Sequence, residues 1–196
     1  ADKQLFKLSE DNLPVTVAGV PPDYFSAEGQ LWGNPLYDWD AMNKDNYSWW
    51  VKRTKRMTEL VDILRIDHFR GFEAYWSIPY GDETAVNGKW IDGPNIALYK
   101  EKKKALGELP IIAEDLGVIT DGVRKLRDDA QFPGMKVLQF AFDPGEAGKD
   151  GMVNAFHPHM YPQTSVVCTG THDNDTVNGW ISALNREDLA FAKKYI

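Results

Sequence analysis

The sequence predicts an α/β chain that forms part of a (β/α)8 TIM barrel, and three observations carry that prediction. Compact apolar runs alternate with amphipathic segments, as expected for parallel strands joined by crossover helices. The runs are rich in Val, Ile, Leu and Phe without clean alternation, which is the habit of strands buried on both faces. The first run leads into the stiff loop Val20-Pro21-Pro22, and no Gly-rich or Walker-type phosphate turn follows any strand, which disfavours an open doubly wound sheet.

The strand candidates, in order, are residues 15–19, 63–66, 110–113, 136–142 and 165–169. Between the first two, residues 46–62 place Tyr47, Trp50, Val51, Thr54, Met57 and Val61 at helical spacing, with Lys52, Lys55 and Glu59 on the other face. A second helix is expected over 96–106, where the run from Lys100 to Lys104 reads as a solvated face. A third begins after Thr120, a good N-cap, and stops before Pro133-Gly134; a fourth runs from Arg186. The stretch 79–95 holds three turn signals and is long for a βα connection, so it reads as a lid. A full barrel takes roughly 250 residues. With 196 residues and five strand candidates, residues 1–196 read as one partial barrel domain, truncated at both ends and beginning inside a longer protein.

Four of these strands end at or near an acid: Asp67, Glu114 with Asp115, Asp143, and Asp173; Asp23 follows the first. In a barrel the C-terminal strand ends share one mouth. Converging acids repel unless a cation, shared protons or a cationic transition state relieves them. Metal-assisted catalysis and acid/base work on a cation-like sugar intermediate both satisfy that condition. Retaining glycoside chemistry needs one carboxylate nucleophile and one carboxylic acid about 5–5.5 Å apart. Arg65 points the same way as Asp67 on a strand and is either its charge partner or a core salt bridge. His68 and His172 flank two of the acids, and His157-Pro158-His159 adds a third histidine pattern. These are zinc-ligand candidates, but no dense ligand motif joins them, and hydrogen bonding to sugar hydroxyls accounts for His68 and His172 equally.

The words around the acids carry a resemblance. Leu64-Arg65-Ile66-Asp67-His68-Phe69-Arg70-Gly71-Phe72, Ile112-Ala113-Glu114-Asp115-Leu116-Gly117 and Gly170-Thr171-His172-Asp173-Asn174-Asp175 resemble the three carboxylate motifs of glycoside hydrolase family 77, the 4-α-glucanotransferases. The upstream words 19–26 and 29–35, and the stretch 133–140, are also similar to that family. The resemblance implies that Asp67 is the nucleophile, Glu114 the acid/base and Asp173 the group that binds the 2- and 3-hydroxyls and favours a distorted ring. It further implies that Arg65 pairs with Asp67, and that Tyr24, Phe25, Gln30, Trp32, Asn34, His68, Asp115, Phe140, His172 and Asn174 contact substrate. The family uses no metal or organic cofactor. Its substrates are maltooligosaccharide or α-glucan donors and acceptors, and the strands here would be about the third to the seventh, the missing ones coming from the parent chain.

Composition agrees. A net charge of −7 speaks against a nucleic-acid footprint. No segment approaches the roughly 18 apolar residues of a membrane span, and residues 1–5 lack a signal-peptide core. The lone Cys168 cannot make an internal disulfide and reads as a buried thiol in a reducing compartment, so a cytoplasmic location is expected, or a plastid one for a plant parent. Seven Trp, many in loop-like segments, suggest a stacking surface for a flat ligand.

Overall fold

The computed structural model describes residues 2–23, 26–142 and 154–195. Tyr24, Phe25 and Asp143, singled out from the sequence, lie outside the described residues. The chain divides into two compact units, Ala1–Phe132 and Pro133–Ile196.

The first unit runs β1 (Thr16–Val20), β2 (Gln30–Pro35), α1 (Trp39–Lys44), α2 (Ser48–Thr58), β3 (Leu64–Ile66), β4 (Ala74–Pro79), β5 (Lys89–Asp92), α3 (Asn95–Leu106), β6 (Ile111–Ala113) and α4 (Asp121–Asp129). Two sheets form within it. β3 and β6 pair in parallel. β1 does not join them, contrary to the expectation of a parallel barrel strand; it sits in an antiparallel sheet of order β2-β1-β4-β5. Its buried centre, Val17-Ala18-Gly19, reads like a barrel strand because both faces are covered, and pairing partners, not burial, decide its direction. Gly19 is required there: a Cβ would overlap the Gln30 carbonyl and lie 2.6 Å from Ile78 Cδ1.

The expected lid over 79–95 contains β5 instead. Trp76 and Trp90 are cross-strand partners with ring centroids 5.2 Å apart, and the Trp76 indole donates to the Ala85 carbonyl at 2.8 Å. The turn signals therefore mark the connection of a hairpin. α2 starts two residues later than its apolar pattern because Asn46 and Tyr47 both adopt left-handed backbone, while Asp45 accepts from the Ser48 N–H at 3.2 Å. Thr120 caps α4 as expected, accepting from Val123 N–H at 3.3 Å.

Five of the seven tryptophans are partly buried, packed against other side chains. Trp39, Trp49 and Trp50 pack with Tyr37 and Phe72 in one continuous aromatic cluster, whereas Trp32 and Trp90 are 44% and 41% exposed. Lys102 also departs from expectation. It is 1% exposed, because it shares a helical face with Leu98 and Tyr99. Its ammonium lies over the Trp50 and Tyr99 rings at 4.9 and 5.0 Å and has no hydrogen-bond partner among the described residues. Burial, aided by the charge of Arg53, pulls its pKa down to about 7. Between that value and the ordinary lysine range the unfolded chain holds the proton more tightly, so this site's cost falls as pH rises through the window. Lys102→Met is expected to raise unfolding stability at neutral pH by about 1–3 kcal/mol, measured by denaturant titration, with the gain shrinking toward pH 10.

The second unit runs β7 (Gly134–Val137), β8 (Ser165–Cys168), α5 (Val177–Ala183) and α6 (Arg186–Tyr195). β7 and β8 pair in parallel, Val137 opposite Cys168. The strand expected over 136–142 ends at Val137, and Leu138–Phe142 coils into a 3-10 turn whose Gln139 N–H donates to the Thr169 carbonyl at 3.2 Å. β8 is not buried on both faces: Val167 is 50% exposed, and Cys168 is half-buried, its thiol directed at the Lys136 carbonyl. Among the described residues no helix is long and apolar enough to cross a membrane.

Candidate active site

In the first unit the parallel register sets Leu64, Arg65 and Ile66 opposite Ile111, Ile112 and Ala113. Asp67 and Glu114 are the next residues on each strand, so they leave neighbouring strand ends, whose backbones run about 4.8 Å apart. The two turns are stitched together. Glu114 N–H donates to the Ile66 carbonyl at 2.9 Å, and Phe69 N–H donates to the Glu114 carbonyl at 3.0 Å.

The two carboxyl groups meet different surroundings. Asp67 has a 73% exposed side chain, and Arg65 Nη1 donates to its Oδ1 at 2.7 Å. The pair is open to solvent on the aspartate side, which favours the charge-partner reading of Arg65 over a core salt bridge. Glu114 is half-buried. Its Oε2 accepts from the His68 backbone N–H and its Oε1 from the Leu116 backbone N–H, both at 2.7 Å. Burial raises its pKa above the ordinary carboxylate value; the two amides oppose that rise, the Asp67 charge adds to it and Arg65 opposes it. One group is thus exposed and paired with a cation, and the other is inclined to keep its proton. That is the division of labour a nucleophile and a general acid require.

His68 has left-handed backbone, φ 47° and ψ 49°, and this bend turns its N–H toward Glu114. Burial, reinforced by the positive charge of Arg70 and offset in part by Asp67, pushes its ring pKa down to about 4. A neutral imidazole both donates and accepts, as sugar hydroxyls demand. Trp32 stands edge-on to this ring at 4.8 Å, and its indole N–H donates to Gln30 Oε1 at 3.1 Å. Gln30, Trp32 and Asn34 alternate along β2 and are all exposed. The structure therefore brings Asp67, Glu114, His68, Arg65 and Trp32 together.

Asp115 is different. It is 7% exposed, and its Oδ2 accepts from Arg127 Nη1 at 2.7 Å. In the second unit, Asp173 and His172 are both exposed, with His172 Nε2 3.5 Å from Asp173 Oδ1. Asn174 Oδ1 accepts from the Thr171 N–H at 2.8 Å and its hydroxyl at 3.0 Å, which shapes the turn that presents Asp173. Phe140 packs edge-on against Phe156 at 5.3 Å. Sequence reasoning passed over Gln139, which is buried and donates to the Asp175 carbonyl at 2.9 Å, and Arg70, which is buried beside His68. Arg70 stands in the same word as Asp67, so a charged residue among aromatics was the available signal. Among the described residues, no three His, Cys, Asp or Glu side chains gather as metal ligands do; the His157 and His159 rings stack with Tyr195.

The family model for 4-alpha-glucanotransferase, Glyco_hydro_77, matches residues 1–196. A 4-alpha-glucanotransferase of Thermus thermophilus is 51% identical over all of this chain and 38% of its own length. The chloroplastic/amyloplastic 4-alpha-glucanotransferase of Solanum tuberosum is 50% identical, again over all of this chain and 33% of its own. The amylomaltase from Streptococcus agalactiae, solved in complex with acarbose, superposes with a TM-score of 0.92 at 42% identity, covering 100% of this chain and 38% of that one. The chain thus spans between a third and two fifths of the length of these relatives.

Proposed function

The chain belongs to the 4-alpha-glucanotransferase family, glycoside hydrolase family 77, and on that premise we propose that the whole protein transfers α-1,4-glucan segments between maltooligosaccharides by a retaining double displacement. The observation that carries this reading is the pairing of an exposed, arginine-paired Asp67 with a half-buried Glu114 at adjacent strand ends. Neighbouring strands supply the spacing that a retaining pair needs.

In this reading Glu114 protonates the glycosidic oxygen as Asp67 attacks the anomeric carbon. The donor's reducing-end segment leaves, and a covalent glycosyl ester remains on Asp67. Glu114, now charged, takes the proton of an acceptor hydroxyl, which displaces Asp67 and restores the α-linkage. Arg65 orients the Asp67 carboxylate. His68 and His172 bond sugar hydroxyls, Asp173 binds the 2- and 3-hydroxyls, and Tyr24, Phe25, Gln30, Trp32, Asn34, Asp115, Phe140 and Asn174 contact the glucan. The acarbose bound by the Streptococcus agalactiae amylomaltase supports an oligosaccharide ligand for this chain too. In this reading the parallel pairs β3–β6 and β7–β8 are strands of a (β/α)8 barrel. We assign it to a reducing compartment, the cytoplasm or a plastid, supported by a sequence that carries one cysteine, Cys168.

Incubating the full-length protein with maltotriose is the test. Glucose released together with maltooligosaccharides longer than the substrate is the expected result. Products no longer than maltotriose would mean that water is the acceptor and that the protein is a hydrolase.

A further inference from the structure

Arg70 follows Asp67 by three residues and is enclosed, 7% exposed. Its Nη1 donates to the Val118 carbonyl at 2.9 Å. Its guanidinium lies over the Trp90 ring, 4.0 Å from the centroid, and its Nη2 is 3.9 Å from Glu73 Oε2. Nε is buried with no hydrogen-bond partner among the described residues, and burial lowers the pKa of the group while Glu73 opposes that. A buried guanidinium held this incompletely costs stability, so stability alone is a poor reason for its presence.

Its contacts have a pattern. They join the 3-10 turn Phe69–Phe72, the stretch that runs from Glu114 to Val118, and β5 of the antiparallel sheet. Both amides that grip Glu114 lie on the segments so joined: His68 two residues before Arg70, and Leu116 two residues before Val118. The Arg70–Val118 bond closes the ring around the carboxylate. We propose that Arg70 is a positioning residue: by tying Val118 to the Phe69–Phe72 turn and to Trp90, it holds Glu114 between the His68 and Leu116 amides. Lysine could not replace it, because its compact ammonium has no planar face, whereas the guanidinium fork both stacks on the ring and reaches a carbonyl. The inference rests on the acid/base role assigned to Glu114 for its kinetic consequence, and on geometry alone for its structural one.

Arg70→Lys in the full-length protein tests both. The first readout needs no reaction: the amide proton resonances of His68 and Leu116, shifted downfield by short charge-assisted bonds, are expected to move upfield. The second is kinetic. kcat for maltotriose disproportionation falls on the order of 10- to 100-fold, with KM within about twofold. The alkaline limb of kcat/KM moves to higher pH, because losing a donor to the carboxylate favours its protonated form while Asp67, Arg65 and the neutral His68 still face it. A variant that only melts at lower temperature, with both amides and the limb unchanged, overturns the proposal. If Arg70→Lys does not fold, Trp90→Leu removes the ring beneath the guanidinium and is read the same way. Amides that move in a protein whose wild type shows no transfer would keep the positioning role and reject the assigned function; unmoved amides in an active enzyme would do the reverse.

Discussion

Asp67→Asn in the full-length protein is expected to lower turnover of maltooligosaccharides on the order of 10⁴-fold or more, and to stop the covalent sugar ester from forming. Asparagine keeps the size of the side chain and can still accept a bond from Arg65, but the amide oxygen is too weak a nucleophile to attack the anomeric carbon. Loss of fold cannot account for such an effect. The Asp67 side chain is 73% exposed and the Arg65 side chain 31% exposed, and an ion pair of that kind is worth about 0–1 kcal/mol. Intact-mass measurement after an acid quench reads the outcome directly. A glycosyl adduct on the Asn variant, or substantial retained activity, would assign the nucleophile elsewhere.

Glu114→Gln is expected to lower turnover of maltotriose by about 10²- to 10⁴-fold, and much less for a glucosyl donor whose aryl leaving group needs no protonation. The pH profile separates the roles. Burial raises the Glu114 pKa, so under the acid/base assignment the wild type is expected to lose activity on the alkaline side as Glu114 deprotonates, and the variant is expected to lack that limb. The substitution also disturbs the site, since the glutamine NH₂ must face one of two N–H groups that now donate to carboxylate oxygens. That clash costs about 1–3 kcal/mol and affects every donor equally. An equal loss for activated and natural donors would therefore assign the effect to misplacement and reject the acid role.

The helices and the chemistry were more legible in the sequence than the sheets. α3, α4 and α6 begin and end close to where caps and apolar spacing put them, because those signals are local. β2, β4 and β5 were not read as strands, since Gln30–Pro35 and Lys89–Asp92 both lie mostly exposed, and without them β4 has no visible partner. Their identity comes from partners elsewhere in the chain, such as Trp76 for Trp90. The same limit misdirected β1, whose composition suits a barrel strand although its neighbours run antiparallel. Asp67 and Glu114 were legible as a pair because each follows a short apolar run. That Glu114 is gripped by two backbone amides was not, because an amide donor leaves no residue type to recognise. The pairing of Asp115 with Arg127 was not legible either, because it joins a strand end to the next helix and no spacing rule links the two.

The hydrogen bond from His68 N–H to Glu114 spans 46 residues of chain, and that separation has a kinetic meaning. No local segment can build this cradle, since the two turns meet only when β3 and β6 pair, and closing such a loop is opposed by chain entropy. The β4–β5 hairpin and α3 lie between the two strands and are made of near-neighbour contacts, which form early. Once they are in place they shorten the effective distance that β3 and β6 must bridge. The acid/base environment therefore cannot precede the pairing of β3 with β6, because until the two strands meet Glu114 lacks the His68 amide.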